Sequence, residues 1–146
     1  MEKFREVGFK YGLIGVAGNT TSFDRAVYYP VSSDVRANFH NYTVIWTAEN
    51  LKWQIDGDTV RVLNYSQANG GHNYPQTPCT VRLGIWAGGD PSMPQGTIDW
   101  AGGLSDFTKG PYTMYVQSAD VKDYGSGKEY QYTDRSGSWQ SIKAIA

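Results

Sequence analysis

The sequence has one cysteine, four glutamates, no long apolar run and no excess of charge of either sign, and each shortage narrows what the chain can do. Cys79 stands alone, which rules out an internal disulfide and leaves the redox compartment open. Thirteen basic and fourteen acidic residues give a formal net charge of −1. Without a field that gathers a polyanion, nucleic acid is not an expected partner. No stretch approaches the roughly 20 apolar residues that cross a bilayer, so no membrane segment is expected. The run Leu13–Ala17 is also shorter than the ~7–15-residue core of a signal peptide. Residues 1–18 show no clear period and are expected to form an irregular leader without an export signal. His40 and His72 do not share a metal-binding pattern, so neither a metal nor a cofactor is expected.

What the chain does contain favours sheets. Seventeen Gly, eleven Tyr and five Trp make a poor helical composition, whereas aromatic and β-branched residues suit a pleated surface. The expected class is all-β, with 146 residues enough for one core. From Phe39 the sequence alternates, with His40, Tyr42, Val44 and Trp46 on one face and Phe39, Asn41, Thr43 and Ile45 on the other, which predicts a strand of about nine residues. Leu51, Trp53 and Ile55 then share a face, Asp56-Gly57 supplies a two-residue turn, and Val60 and Val62 return as a hairpin. A polar loop follows over Ser66–Gln76. Further alternation predicts strands at Val81–Trp86, at Tyr112–Gln117 and around Lys128–Thr133, with Gly96–Trp100 as a short extended segment. Short strands at this spacing point to a sandwich or barrel.

Among the five tryptophans, Trp46 and Trp53 lie on well-marked strands and are expected to pack. Trp86 and Trp100 each adjoin a glycine pair, in Trp86-Ala87-Gly88-Gly89-Asp90 and Trp100-Ala101-Gly102-Gly103. Glycine beside a large aromatic lets a ligand or another backbone come close. A sugar ring has an apolar C–H face suited to an indole, so packing and sugar contact are both open for this pair. The Asn-x-Ser/Thr triplets at Asn19, Asn41 and Asn64 add a lean toward a secreted ancestry.

Several runs carry a more specific resemblance. Phe39-His40-Asn41-Tyr42-Thr43-Val44-Ile45-Trp46 with Trp53-Gln54-Ile55-Asp56-Gly57 resembles the strand and hairpin after the catalytic strand of glycoside hydrolase family 16. Tyr74-Pro75-Gln76-Thr77-Pro78, Leu83-Gly84-Ile85-Trp86-Ala87-Gly88-Gly89-Asp90, Gly96-Thr97-Ile98-Asp99-Trp100-Ala101-Gly102-Gly103, Tyr112-Thr113-Met114-Tyr115-Val116 and Gly137-Ser138-Trp139-Gln140-Ser141 narrow it to the fungal cell-wall (Crh-like) branch that joins chitin to β-glucan. Asn19–Arg25 resembles the stretch just downstream of that branch's catalytic strand. The resemblance covers about Gly18 to Ile142, so residues 19–146 are expected to form a partial family domain.

The resemblance implies an antiparallel β-sandwich of the jelly-roll, concanavalin-like type, N-terminally truncated, with a glycan cleft on its concave sheet. It implies retaining chemistry, in which two carboxyl groups ~5–5.5 Å apart act as nucleophile and acid/base. In the family these lie on an acidic strand of the form Asp-Glu-Ile-Asp-x-Glu. Here the glutamates are only Glu2, Glu6, Glu49 and Glu129, and none belongs to such a run. Asp56 and Asp58 flank a turn glycine and read as turn residues. No catalytic residue is therefore assigned. By resemblance, Trp86 is a sugar platform, Thr97 a hydroxyl toward chitin-type sugar, and Trp100 and Asp90 further substrate-binding residues. The implied partners are chitin and β-1,3/1,6-glucan, and the implied location is the cell wall or outside the cell. Three readings remain in competition: a transglycosylase or hydrolase domain inactive as given, a non-catalytic carbohydrate-binding fragment, and an unstable fragment with no activity. Exposed sheet edges add an expectation of self-association.

Overall fold

A computed structural model of the protein describes residues 29–31 and 33–146. The expected leader, the Asn19–Arg25 stretch and Glu2 and Glu6 lie outside the described residues. Those described fall into two compact units, Thr80–Asp120 and the residues up to Cys79 together with Val121–Ala146.

In the second of these, β1 (Tyr42–Trp46), β2 (Asn50–Ile55) and β3 (Asp58–Asn64) form an antiparallel meander in the order β1-β2-β3. The period-2 pattern of β2 is expressed in full, since Leu51, Trp53 and Ile55 are buried while Asn50, Lys52 and Gln54 between them are half-buried. Asp56 and Gly57 both take positive φ, 53° and 92°, which matches the right-handed twist of a two-residue hairpin. The register shifts between Trp53 and Gln54, so that Trp53 faces Arg61 and Gln54 faces Thr59. Val60 is the extra residue of this bulge. The Arg61 guanidinium lies 4.9 Å from the centre of the Trp53 ring, a cation–π contact across the pair.

β1 has five residues rather than the expected nine. The Asn41 N–H is taken by the Asp56 carboxylate at 2.9 Å instead of by a ladder carbonyl, and the chain ahead of Tyr42 leaves the sheet. The loop after β3 folds over the sheet through successive turns. Its Tyr74 hydroxyl donates to the Thr47 carbonyl at 2.7 Å, and the Trp46 indole N–H donates to the Pro75 carbonyl at 3.0 Å. Leu51, Trp53, Ala68 and Tyr74 make the core, with Trp46, Val60, Leu63 and Tyr65 packed against it. Gly71, at φ 93°, shows how tightly the loop sits: a Cβ there would fall 2.0 Å from the Tyr65 ring.

β4 (Glu129–Tyr132) and β5 (Ile142–Ile145) form a two-stranded antiparallel sheet, as the Lys128–Thr133 pattern predicts for β4. The Trp139 N–H donates to the Gln76 side chain at 3.1 Å and ties the turn ahead of β5 to the loop after β3.

The unit Thr80–Asp120 differs from the sequence expectation in three places. Val81–Trp86 and Tyr112–Gln117 are assigned to no strand, because alternation sets which way side chains point but a strand also needs a neighbour to complete its ladder. Gly96–Trp100 is not extended. Gln95–Trp100 is a short helix, α1.

Candidate functional site: an aromatic pair on glycine-closed loops

Helix α1 begins after Pro94, whose carbonyl accepts from the N–H groups of Thr97 at 2.8 Å and Ile98 at 3.2 Å. Gln95 donates to the Asp99 carboxylate one turn later at 2.8 Å. At the other end Gly102 and Gly103 have φ of 92° and 120°, and their N–H groups return to the carbonyls of Asp99 and Ile98. That pair of bonds is a Schellman cap. The signal was present in the sequence as proline at the start and paired glycines at the end. The change matters for the site, because Thr97 and Trp100 would lie on opposite faces of a strand but, three residues apart, share a face of a helix.

The glycine pairs answer part of the question posed by their spacing. Gly89 is approached by another backbone: a Cβ there would lie 2.2 Å from the Gly103 carbonyl oxygen, and the Ser105 N–H donates to the Gly89 carbonyl at 2.8 Å. At Gly88 a Cβ would meet Ala101 at 3.0 Å and the Trp86 ring at 3.5 Å. The two glycine-rich turns thus close on each other. Their flanking indoles come together: Trp86 and Trp100 stack with ring centres 6.3 Å apart and planes inclined by 15°. Both remain open to solvent, at 61% and 57% exposure. Thr97 is half-buried, while Ile98 on the same helix is buried.

Asp90 sits at the turn between these segments. Its Oδ1 accepts from the Ser92 N–H at 2.8 Å and the Ser92 hydroxyl at 2.6 Å. Those bonds hold its carboxyl below the usual carboxylate range. Asp90 is therefore an ionised acceptor at neutral pH. The site as a whole offers a flat apolar surface, a helix-borne hydroxyl and a carboxylate within one unit of the fold. The sequence reading named these four candidates and the glycine pair ending at Gly103, but not Ser105, whose N–H helps to lock the Gly89 turn.

Four other aspartates among the described residues are shifted the same way as Asp90. Asp34 is lowered to about 2 by the bidentate Arg36 guanidinium and the Arg36 N–H. Asp56 is lowered by His40 and the Asn41 N–H, Asp106 by Thr108, and Asp134 by Ser136. A group that protonates a leaving oxygen needs the opposite shift. These aspartates, with Asp90, hold turns. Asp56 and Asp58 behave as the spacing predicts, one in the hairpin turn and one opening β3.

Residues 15–102 match the family described as glycosyl hydrolases family 16. The chain belongs to that family. Family 16 membership is accompanied by similarity to Crh-like protein 2 of Botryotinia fuckeliana, 63% identical over 130 residues, covering 88% of this chain and 29% of that protein. Crh-like protein 5 of Aspergillus fumigatus is 54% identical over 126 residues, covering 86% of this chain and 32% of that protein. Among solved structures, the Crh5 transglycosylase in complex with NAG superposes with a TM-score of 0.82 at 54% identity, over 87% of this chain and 52% of that one. This family 16 chain therefore spans about half of the structure it matches and about a third of those two relatives. Its fold class is the family's antiparallel β-sandwich, to which the antiparallel β1-β2-β3 and β4-β5 pairings conform. No helix among the described residues is long and apolar enough to cross a membrane.

Proposed function

We propose that the chain supplies the sugar-holding side of a cell-wall glycan transglycosylase site, acting on chitin and β-glucan, and that by itself it binds such glycans without turning them over. The observation that carries this reading is the exposed Trp86–Trp100 stack, closed from behind by Gly88, Gly89 and Gly103. An indole face covers the apolar side of a pyranose ring and leaves its hydroxyls for polar neighbours. Thr97 and Asp90 serve as those neighbours. Similarity to a transglycosylase solved with NAG supports the choice of sugar. The family domain is taken to run over residues 19–146, with a cell-wall or extracellular location.

The absence of turnover follows from the acidic residues. Retaining chemistry requires two carboxyl groups about 5–5.5 Å apart, one of them protonated at working pH. The sequence holds no alternating acidic strand, and the five shifted aspartates among the described residues are all shifted the wrong way for an acid. Incubating the purified chain with labelled chito-oligosaccharides and β-glucan should retain label on insoluble chitin and yield no hybrid product. Robust transfer would overturn the reading of the carboxylates, and failure to bind chitin would overturn the platform. Self-association belongs to the same proposal, because Val81, Leu83, Ile85, Tyr112, Met114 and Val116 are exposed along the alternating runs. Light scattering should show species larger than the monomer.

A further inference from the structure

We propose that Ser33, His40 and Asp56 form a base-activated nucleophile, and that Ser33 accepts acyl groups from small carboxylic esters. The three side chains stand in a line. His40 Nδ1 lies 2.7 Å from Asp56 Oδ2, and His40 Nε2 lies 3.0 Å from the Ser33 hydroxyl oxygen. The other carboxylate oxygen, Oδ1, accepts the Asn41 N–H at 2.9 Å, so the orienting group is itself held at both oxygens. Asp56 is further fixed by its place in the β2–β3 turn at φ 53°.

The direction of each hydrogen bond follows from chemistry. An ionised carboxylate only accepts, so Nδ1 must carry the proton that faces it. In neutral imidazole Nε2 then presents a lone pair, and Ser33 must donate to it. That is the arrangement of nucleophile, general base and orienting carboxylate, which is recognised by geometry and not by sequence position. Burial is distributed to suit it. The His40 side chain is 5% exposed, which restricts the ring to one orientation, while Ser33 is exposed and can be reached. The sequence places His40 only on a face of the Phe39–Trp46 run, because nothing in the spacing joins it to a serine seven residues earlier.

In the proposed step Ser33 Oγ attacks the ester carbonyl carbon and its proton passes to His40 Nε2. The carbon–alkoxy bond breaks, and the departing alcohol takes that proton. Water then cleaves the acyl–Ser33 ester through the same base, releasing the acid and restoring the hydroxyl. An exposed hydroxyl suits small or polymer-borne acyl groups better than long chains that require an enclosing pocket.

The test uses the intact chain and p-nitrophenyl acetate as the probe. Acid quenching followed by peptide mass spectrometry should find an acetyl group on Ser33. Ser33→Ala removes only an exposed hydroxyl, so it should leave the melting temperature unchanged and slow p-nitrophenolate release about 100-fold, the lower end of general-base contributions. Asp56→Asn can turn an N–H toward Nδ1 and reverse the imidazole tautomer, and it should slow release by a similar factor. Acetyl groups found on lysines with Ser33 unmodified, or release unchanged in Ser33→Ala or in Asp56→Asn, would overturn the proposal.

Discussion

The meander unit and the Thr80–Asp120 unit have similar aromatic and aliphatic content, yet use it in opposite ways. In the first, Trp53 is 2% exposed and Leu51, Ala68 and Tyr74 close around it. In the second, Ile98 is buried while Leu83, Trp86, Trp100, Leu104 and Phe107 stay exposed. The first unit gains its stability from burial. The second is held by backbone, through the Gly89–Ser105 bond, the Schellman cap and the side-chain turns at Asp90 and Asp106. Apolar surface that costs free energy to expose, on a frame that does not depend on it, is what a binding face requires.

The sharpest way to break this contrast is to cut the core. Trp53→Ala should lower stability by about 3–5 kcal/mol, the usual result of removing a buried indole, read as a fall in the urea midpoint. A loss no greater than that of Trp86→Ala would mean that the two units are not different in kind. Gly71→Ala should follow at about 2–3 kcal/mol, because its Cβ would enter the Tyr65 ring at a left-handed backbone position. Gly89→Ala should have a smaller effect on melting and a larger one on chitin retention, since it forces apart the turns that set the indoles together.

The pH dependence should be the smallest effect near neutrality and appear only at the extremes. Burial pushes the Tyr74 phenol up to about 12, so the fold favours its neutral form. Stability from this group is intact below the ordinary tyrosine value near 10 and is lost as pH rises from there to about 12. The aspartates run the other way. Their folded values lie below the ordinary value near 4, so their contribution is present above that pH and is lost as pH falls, down to about 2 for Asp34. Melting temperatures across pH 2–12 should therefore fall at both ends, with tyrosinate absorbance tracking the alkaline limb.

Much of the meander was legible because its signals are local. The alternation of Leu51, Trp53 and Ile55 and the Asp56-Gly57 turn each decide their own geometry, and the structure follows them. The end of β1 was not legible, because it depends on a carboxylate fifteen residues away. Val81–Trp86 shows a different limit, since side-chain period does not report where a ladder partner lies. For α1 the information was present but was outweighed by the expectation of an all-β chain. The candidate site residues Trp86, Thr97, Trp100 and Asp90 were suggested by glycine spacing and resemblance, whereas the stacking of the two indoles arises from a closure of backbone on backbone that no local pattern encodes.

The central claim, that Trp86 and Trp100 form a sugar platform while Trp53 serves the core, is tested most directly by titrating the chain with chitotetraose and following tryptophan fluorescence. Ring-on-aromatic contacts are worth about 1–3 kcal/mol each by analogy with base stacking. The wild type should show quenching that saturates at millimolar concentration or below. Trp86→Ala should lose that response with its melting temperature unchanged. Quenching that persists in Trp86→Ala with the same midpoint would contradict the platform and leave the exposed indoles without a role in sugar binding.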